Sequence, residues 1–321
     1  MRKKIILKMT GIGVAMLGLL LWTSLESYGI LNGQERPLIT SDSAPSADDT
    51  LSKTLSVAAV QMRSSDNLQD NVARIKGFIK DCAAKGIRVA AFPECALTGY
   101  NGNVITKLTA EQINQAEKQV AEACRESSIY AIVGMPYRDG QKLFNSAVVI
   151  SPEGKVIERY HKNQLAESWP DPGDHLSVFR IDGVPCSIII CHDERYPELV
   201  RLPVLAGAKV IFYLSHESGV TEEDKIGPYR AQIQARAVEN TVYIVHANAP
   251  ANKDATGSHG QSRIVTPVGK IIQEASIFHE DLLTALLDLA KANRGNAMKS
   301  LTRGPLQDWW KEGIKNVRII K

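Results

Sequence analysis

Pro185-Cys-Ser-Ile-Ile-Ile-Cys-His-Asp-Glu-Arg-Tyr-Pro197 joins a short apolar run to an abruptly polar one. The apolar part is too short for a helix and reads as a buried strand that delivers Cys191 to the rim of a sheet. In open α/β sheets, ligands sit beyond the carboxyl ends of the strands. Taken alone, a cysteine at that point is more often inert core packing than a nucleophile. The rest of the chain decides between the two readings.

Outward from this stretch, from Leu55 onward, strand-like and helix-like periods alternate. The patterns predict strands over 55–61, 89–92, 129–135, 144–150, 156–160, 177–181, 187–190, 209–215, 241–246, 262–268, 270–273 and 281–289. They predict helices from Asp66 or Asn67 to 85, from the capping box at Thr109 to 127, over 197–206, and from Pro228 to 240. Strands outnumber helices, which suits two packed sheets with helices outside them. Two stretches, 163–175 and 216–227, lack periodicity, and long irregular loops inside compact domains are usually functional. The tail 291–321 carries Trp309 and Trp310 and shows no partner strand; exposed tryptophans there suit a contact across subunits.

Composition sets the outer limits. A chain of 321 residues, 44% hydrophobic and 23% charged, has material for a large core. The net charge of +3 comes entirely from Arg2, Lys3, Lys4 and Lys8 against Glu26, so the remainder is neutral and nothing argues for nucleic acid. Those residues precede an apolar run, 9–22, shorter than the ~20 residues a membrane span requires. With small residues at Ser27 and Gly29, residues 1–29 read as a secretory signal peptide, or else as a membrane tether through residues 5–22. The protein is therefore expected to be exported, periplasmic or extracellular. Residues 30–53, with the small and acidic stretch 41–50, read as a flexible linker. Five cysteines, an odd number without C-x-x-C spacing, make neither a disulfide framework nor a zinc site. Seven histidines without ligand spacing make a metal improbable. No cofactor is implied.

Two further residues at strand ends stand beside Cys191. Glu94 follows the strand ending in Phe92-Pro93, where half desolvation pushes a carboxyl upward. Lys162 follows Tyr160-His161 at the end of a hairpin. Phe92-Pro-Glu94, Tyr160-His-Lys162 and Ile190-Cys-His-Asp-Glu-Arg-Tyr-Pro-Glu198 resemble the three signatures of the nitrilase, or carbon–nitrogen hydrolase, superfamily. Residues 172–174, 207–212, 236–240 and 262–269 agree, so the likeness spans about 54–290. It implies an α/β fold, a four-layer αββα sandwich forming a single catalytic domain plus the C-terminal tail, and a Glu94–Lys162–Cys191 triad. It also implies a second glutamate, best matched by Glu167, and assembly as a homodimer or higher homo-oligomer.

The chemistry suits these residue types, since amide cleavage requires a nucleophile, a proton shuttle and an oxyanion stabiliser. Cys191 would attack, Glu94 would carry the proton, and Lys162 with the backbone N–H of His192 would meet the oxyanion. Cys191-His192-Asp193 with Arg195 is similar to the amidase and N-carbamoyl-amine branches. Glu194 stands where a second arginine might grip a carboxylate, leaving room for a neutral or cationic substrate. His192, Glu194, Arg195, Tyr100 and His216 are the expected substrate contacts. The expected substrate is a linear amide or N-carbamoyl compound; the alternatives are a non-catalytic binding or scaffold protein, and acyl transfer to an amine. A rival Cys–His pair would use His161, His216 or His246, because His192 would point to the opposite face of a strand.

Overall fold

The computed structural model describes residues 53–217, 220, 223–303 and 317–320. The export segment, nearly all of the linker, and Trp309 and Trp310 lie outside the described residues. In chain order the elements are β1 (Thr54–Gln61), α1 (Leu68–Ala84), β2 (Val89–Ala91), α2 (Gly102–Ile105), α3 (Ala110–Ser127), β3 (Tyr130–Asp139), β4 (Lys142–Ile150), β5 (Val156–His161), β6 (Leu176–Ile181) and β7 (Val184–Ile190). There follow α4 (Glu198–Leu205), β8 (Val210–Ser215), α5 (Glu223–Asn240), β9 (Tyr243–Asn248), β10 (Arg263–Val265), β11 (Ile271–Glu274), β12 (Asp281–Asp288), α6 (Gly295–Thr302) and β13 (Val317–Ile319).

Two sheets form, with strand orders β12-β1-β2-β3-β4-β5 and β11-β10-β9-β8-β7-β6-β13. Alternation along each strand sorts side chains between layers. In β1, Val57 and Ala59 face the second sheet, whereas Ala58 and Val60 face α1 and α3. In β7 and β8, Ile188, Ile190, Phe212 and Leu214 face the first sheet, while Ile189, Ile211 and Tyr213 face the outer helices. Three apolar layers therefore stack helix on sheet on sheet on helix, each fully buried aliphatic or aromatic side chain contributing roughly 1.5–3 kcal/mol. This is the expected αββα sandwich.

Local chemistry fixes the helix ends. Asn67 caps α1 by accepting from the N–H groups of Gln69 and Asp70, and Thr109 with Gln112 closes a reciprocal capping box on α3. The structure adds two short helices that the patterns did not predict, α2 and α6, and departs from the sequence reading at three further points. Pro228 lies inside α5, which starts at Glu223. The tail does find a partner: Val317–Ile319 pairs parallel with β6, Val317 opposite Leu176. Three residues are too few for a periodic signal, so this strand is set by its tertiary neighbour. Cys191–Arg195 is a 3-10 turn, so the argument that placed His192 on the far face of a strand does not apply.

The topology also positions the site. β2, β3 and β5 run in one direction, and so do β7, β8 and β9. The Glu94 N–H donates to the Ser215 carbonyl at 3.3 Å, which joins the strand ends of the two sheets directly.

Candidate active site

Glu94 sits on the turn after β2, and the turn can pack there because β3 carries Gly134 opposite it. A Cβ on Gly134 would fall 2.2 Å from the Pro93 carbonyl oxygen and 2.7 Å from the Glu94 Cα. Lys162 leaves β5 under a similar constraint. The Gly173 N–H donates to the Lys162 carbonyl at 2.8 Å, and a Cβ there would meet the His161 carbonyl oxygen at 2.3 Å. Both glycines are required by close backbone approach.

The buried carboxylate of Glu94 is held at both oxygens. Oε1 accepts from Asn145 Nδ2 at 2.7 Å and from Lys162 Nζ at 2.8 Å, and Oε2 accepts from the His216 N–H at 2.9 Å. Burial nevertheless raises its pKa to about 7, although Lys162 opposes the shift. Lys162 is itself fully buried and donates to Glu167 Oε1 at 2.6 Å. Burial disfavours its ammonium form, but Glu94, Cys191 and Glu167 outweigh that and hold the lysine protonated. Glu167 stays ionised for the complementary reason: burial pushes it up, and Lys162 more than reverses the push. The Tyr100 hydroxyl also donates to Glu167 Oε1.

Cys191 caps β7 with a positive φ of 42°, in the left-handed region that a side chain occupies at a cost of order 1 kcal/mol or more. Burial pushes its thiol well up, Glu94 adds to this, and Lys162 opposes it. Burial thus favours the neutral thiol over the thiolate. Its Sγ lies 3.9 Å from the His216 carbonyl oxygen. The histidine rings considered as alternative bases are engaged elsewhere. His161 bonds Ser146 Oγ and stacks on Phe144, and His246 bonds Ser215 Oγ. The His216 ring lies flat on Tyr100 at 4.4 Å, and burial lowers its pKa to about 4.

Glu94, Tyr100 and His216 share a cleft of about 180 Å3 with Arg63, Asn252 and Ser258. The fold thus brings Glu94, Lys162, Glu167, Tyr100 and His216 together beside Cys191. His192 is half-buried with its ring edge on Tyr196. Arg195 is exposed and donates to the Tyr229 hydroxyl at 3.1 Å, with its guanidinium over that ring. Neither Arg195 nor Glu194 lines that cleft; the Glu194 side chain is buried against the Tyr213 hydroxyl at 2.8 Å, on the helix-facing side of the second sheet. The 3-10 turn, not a strand, turns it that way.

Two residues that the sequence reading passed over hold this machinery in place. Asn145, a buried amide beside Ser146 in the mostly apolar β4, donates to Glu94 and orients it. Asp193 accepts from the Tyr160 hydroxyl at 2.8 Å and from the N–H groups of Ile190, Asn163 and Gln164 at 3.0, 3.2 and 2.8 Å. It thereby ties the nucleophile turn to the chain leaving Lys162. A polar residue inside an apolar run was the available signal for Asn145; nothing local marked the reach of Asp193. Among the described residues, no group of three or more histidine, cysteine or acidic side chains is arranged to hold a metal ion, and all five cysteines are free.

An αββα sandwich with these signatures defines a class, and the chain belongs to the carbon-nitrogen hydrolase family, whose profile matches residues 56–295. It is similar to the human omega-amidase NIT2, 27% identical over 252 residues covering 73% of this chain and 89% of that protein. The zebrafish (Danio rerio) omega-amidase NIT2 is 29% identical over 252 residues, covering 73% and 88%. The fold matches that of a nitrilase-superfamily amidase from Nesterenkonia sp. AN1. One variant of that amidase aligns with a TM-score of 0.68 at 23% identity over 79% of this chain and 93% of that chain. Another, with the acetamide moiety of fluoroacetamide added at its active-site cysteine, aligns at 0.70 and 22%, over 80% and 97%.

Proposed function

We propose that the protein is an amidohydrolase that cleaves the C–N bond of a small linear amide or N-carbamoyl compound through a thioester on Cys191. The observation that carries this reading is the buried Lys162 ammonium held between Glu94 and Glu167 at 2.8 and 2.6 Å. Such an arrangement suits one charge-stabilising group and one proton carrier serving a single nucleophile. The omega-amidases among its relatives point to the same bond type.

In this mechanism the ionised Glu94 takes the Cys191 proton as sulfur attacks the amide carbon. The C=O electron pair moves onto oxygen, which Lys162 and the His192 N–H stabilise. Collapse breaks the C–N bond, and Glu94 returns the proton to the leaving ammonia or amine. Glu94 then takes a proton from water, whose oxygen attacks the thioester carbon; collapse breaks the C–S bond, and Glu94 returns the proton to sulfur, freeing the acid and restoring the thiol. Glu167 holds Lys162 and, with Tyr100, lies where a substrate N–H would be met. A pKa of about 7 lets Glu94 act in both directions near neutral pH. The test is ammonia release from a panel of linear amides and N-carbamoyl compounds by wild type and Cys191→Ala. Turnover that disappears in the variant is expected; turnover undiminished in the variant overturns the proposal.

A further inference from the structure

Behind Cys191, on the far side of the second sheet, a single hydroxyl faces three oxygens. Tyr213 Oη lies 2.7 Å from Glu217 Oε1, 2.8 Å from Glu194 Oε2 and 3.3 Å from the Cys191 carbonyl oxygen. All three side chains are buried. A phenol carries one proton, so it can donate to only one carboxylate at a time. Two ionised carboxylates on one buried phenol oxygen would leave one of them facing a lone pair in a low-dielectric site. One of the two glutamates must supply a proton of its own.

The surroundings say which. Glu217 has an imidazole at ion-pair distance, its Oε2 lying 2.8 Å from His259 Nε2; His246, 3.5 Å from Oε1, is bonded to Ser215 and kept neutral by burial. Glu194 has no such neighbour among the described residues, and Tyr213 is the partner of its carboxyl. Among the described residues its Oε1 has no hydrogen-bond partner, and Arg236 donates through Nε and Nη2 to its backbone carbonyl rather than its side chain. Arg263, in register with His246 and Tyr213 on the same face of the sheet, turns its Nε and Nη2 to Gln261 and Glu274 and makes no ion pair with Glu194 among the described residues. We infer that Glu194 is a neutral carboxylic acid that donates to Tyr213, which in turn donates to ionised Glu217, making Glu194 a positioning residue for the nucleophile turn. Burial, reinforced by Glu217, pushes the Glu194 carboxyl well up, in keeping with this.

The arrangement has a purpose at Cys191, three residues away. Asp193 anchors one side of the turn to the chain after Lys162, and Glu194 anchors the other to β8. A neutral Glu194 does this without adding another negative charge beside a thiol that must ionise. Only this second consequence rests on the proposed hydrolase reading; the protonation state does not.

The direct test is difference infrared spectroscopy at about pH 9, well above the Glu94 value of about 7, so that Glu94 no longer contributes a protonated carboxyl signal. Wild type should retain a protonated-carboxyl C=O band, absent in Glu194→Gln and present in Glu217→Gln. A wild type without the band, or a band lost in Glu217→Gln and kept in Glu194→Gln, overturns the inference. If Glu194→Gln does not fold, a wild type without the band still overturns the inference, and a band kept in Glu217→Gln still excludes Glu217 as its source. For positioning, Glu194→Gln should keep kcat, KM and the pH profile of Cys191 alkylation. Glu194→Ala, which removes the donor, should lower kcat about tenfold at unchanged KM. Equal loss in both variants overturns the positioning role, and an amide panel without turnover leaves the infrared result as the arbiter.

Discussion

Glu94, on the turn leaving the first sheet, accepts a hydrogen bond at 2.9 Å from the backbone N–H of His216, on the turn leaving the second. One carboxylate therefore serves both as the proposed base and as a clamp between the sheets. Glu94→Gln separates the roles, because the amide oxygen still accepts from His216 but cannot take a proton; its NH2 faces Asn145, whose amide can turn over to accept, and Lys162, which keeps Glu167. The variant should fold with a modestly lowered melting temperature and lose about 10²–10⁴-fold in kcat/KM, as removal of a general base does. Parallel thermal melts and ammonia assays check this.

The pH dependence follows from the same group. Glu94 works as a base only when ionised, so kcat/KM should rise with pH through about 7. Stability runs the other way. Its pKa is raised above the ordinary 4.5, so the stability that the protonated form contributes is fully present below 4.5 and lost as pH rises through about 7. Denaturant unfolding of wild type and Glu94→Gln from acid to neutral pH isolates this contribution.

Lys162 is the only described cation in direct hydrogen-bond contact with Glu94 and Glu167, and all three are buried. Lys162→Met leaves two carboxylates in apolar surroundings without their counter-charge. Breaking a buried pair in this way costs about 3–5 kcal/mol. The variant should be inactive and should unfold at clearly lower denaturant concentration, with the deficit smallest in acid, where both carboxyls take up protons.

Gly134 tests the positioning of Glu94 from behind. Its hydrogen adjoins the Pro93 carbonyl and the Glu94 backbone, so Gly134→Ala must push that turn away. Overpacking of this kind costs about 1–3 kcal/mol. Activity should fall more than stability alone explains, with kcat affected while Cys191 is still alkylated.

The layers were legible because β1, β7 and β8 are apolar runs of strand length, and the helices between them are capped by Asn67 and Thr109. The proposed triad was legible through the family resemblance: Glu94 and Lys162, each near a strand end, are unremarkable alone, and only the three signatures together single them out beside Cys191. Glu194 was misplaced for a physical reason. Its neighbours in sequence suggested the cleft, but the left-handed Cys191 and the 3-10 turn rotate it towards Tyr213, 19 residues on. Asp193 was passed over because its partners come from β5 and the loop after it, about 30 residues earlier in the chain. The three-residue β13 has no pattern of its own and exists through β6.

The central claim is a thioester on Cys191, and the most direct measurement is peptide mass spectrometry after rapid acid quench of wild type turning over each amide in the panel. The account predicts the acyl mass of a turned-over substrate on the peptide containing Cys191, and none on the peptides of Cys82, Cys95, Cys124 or Cys186. Ammonia release that persists in Cys191→Ala, with no adduct on Cys191 in wild type, would contradict it.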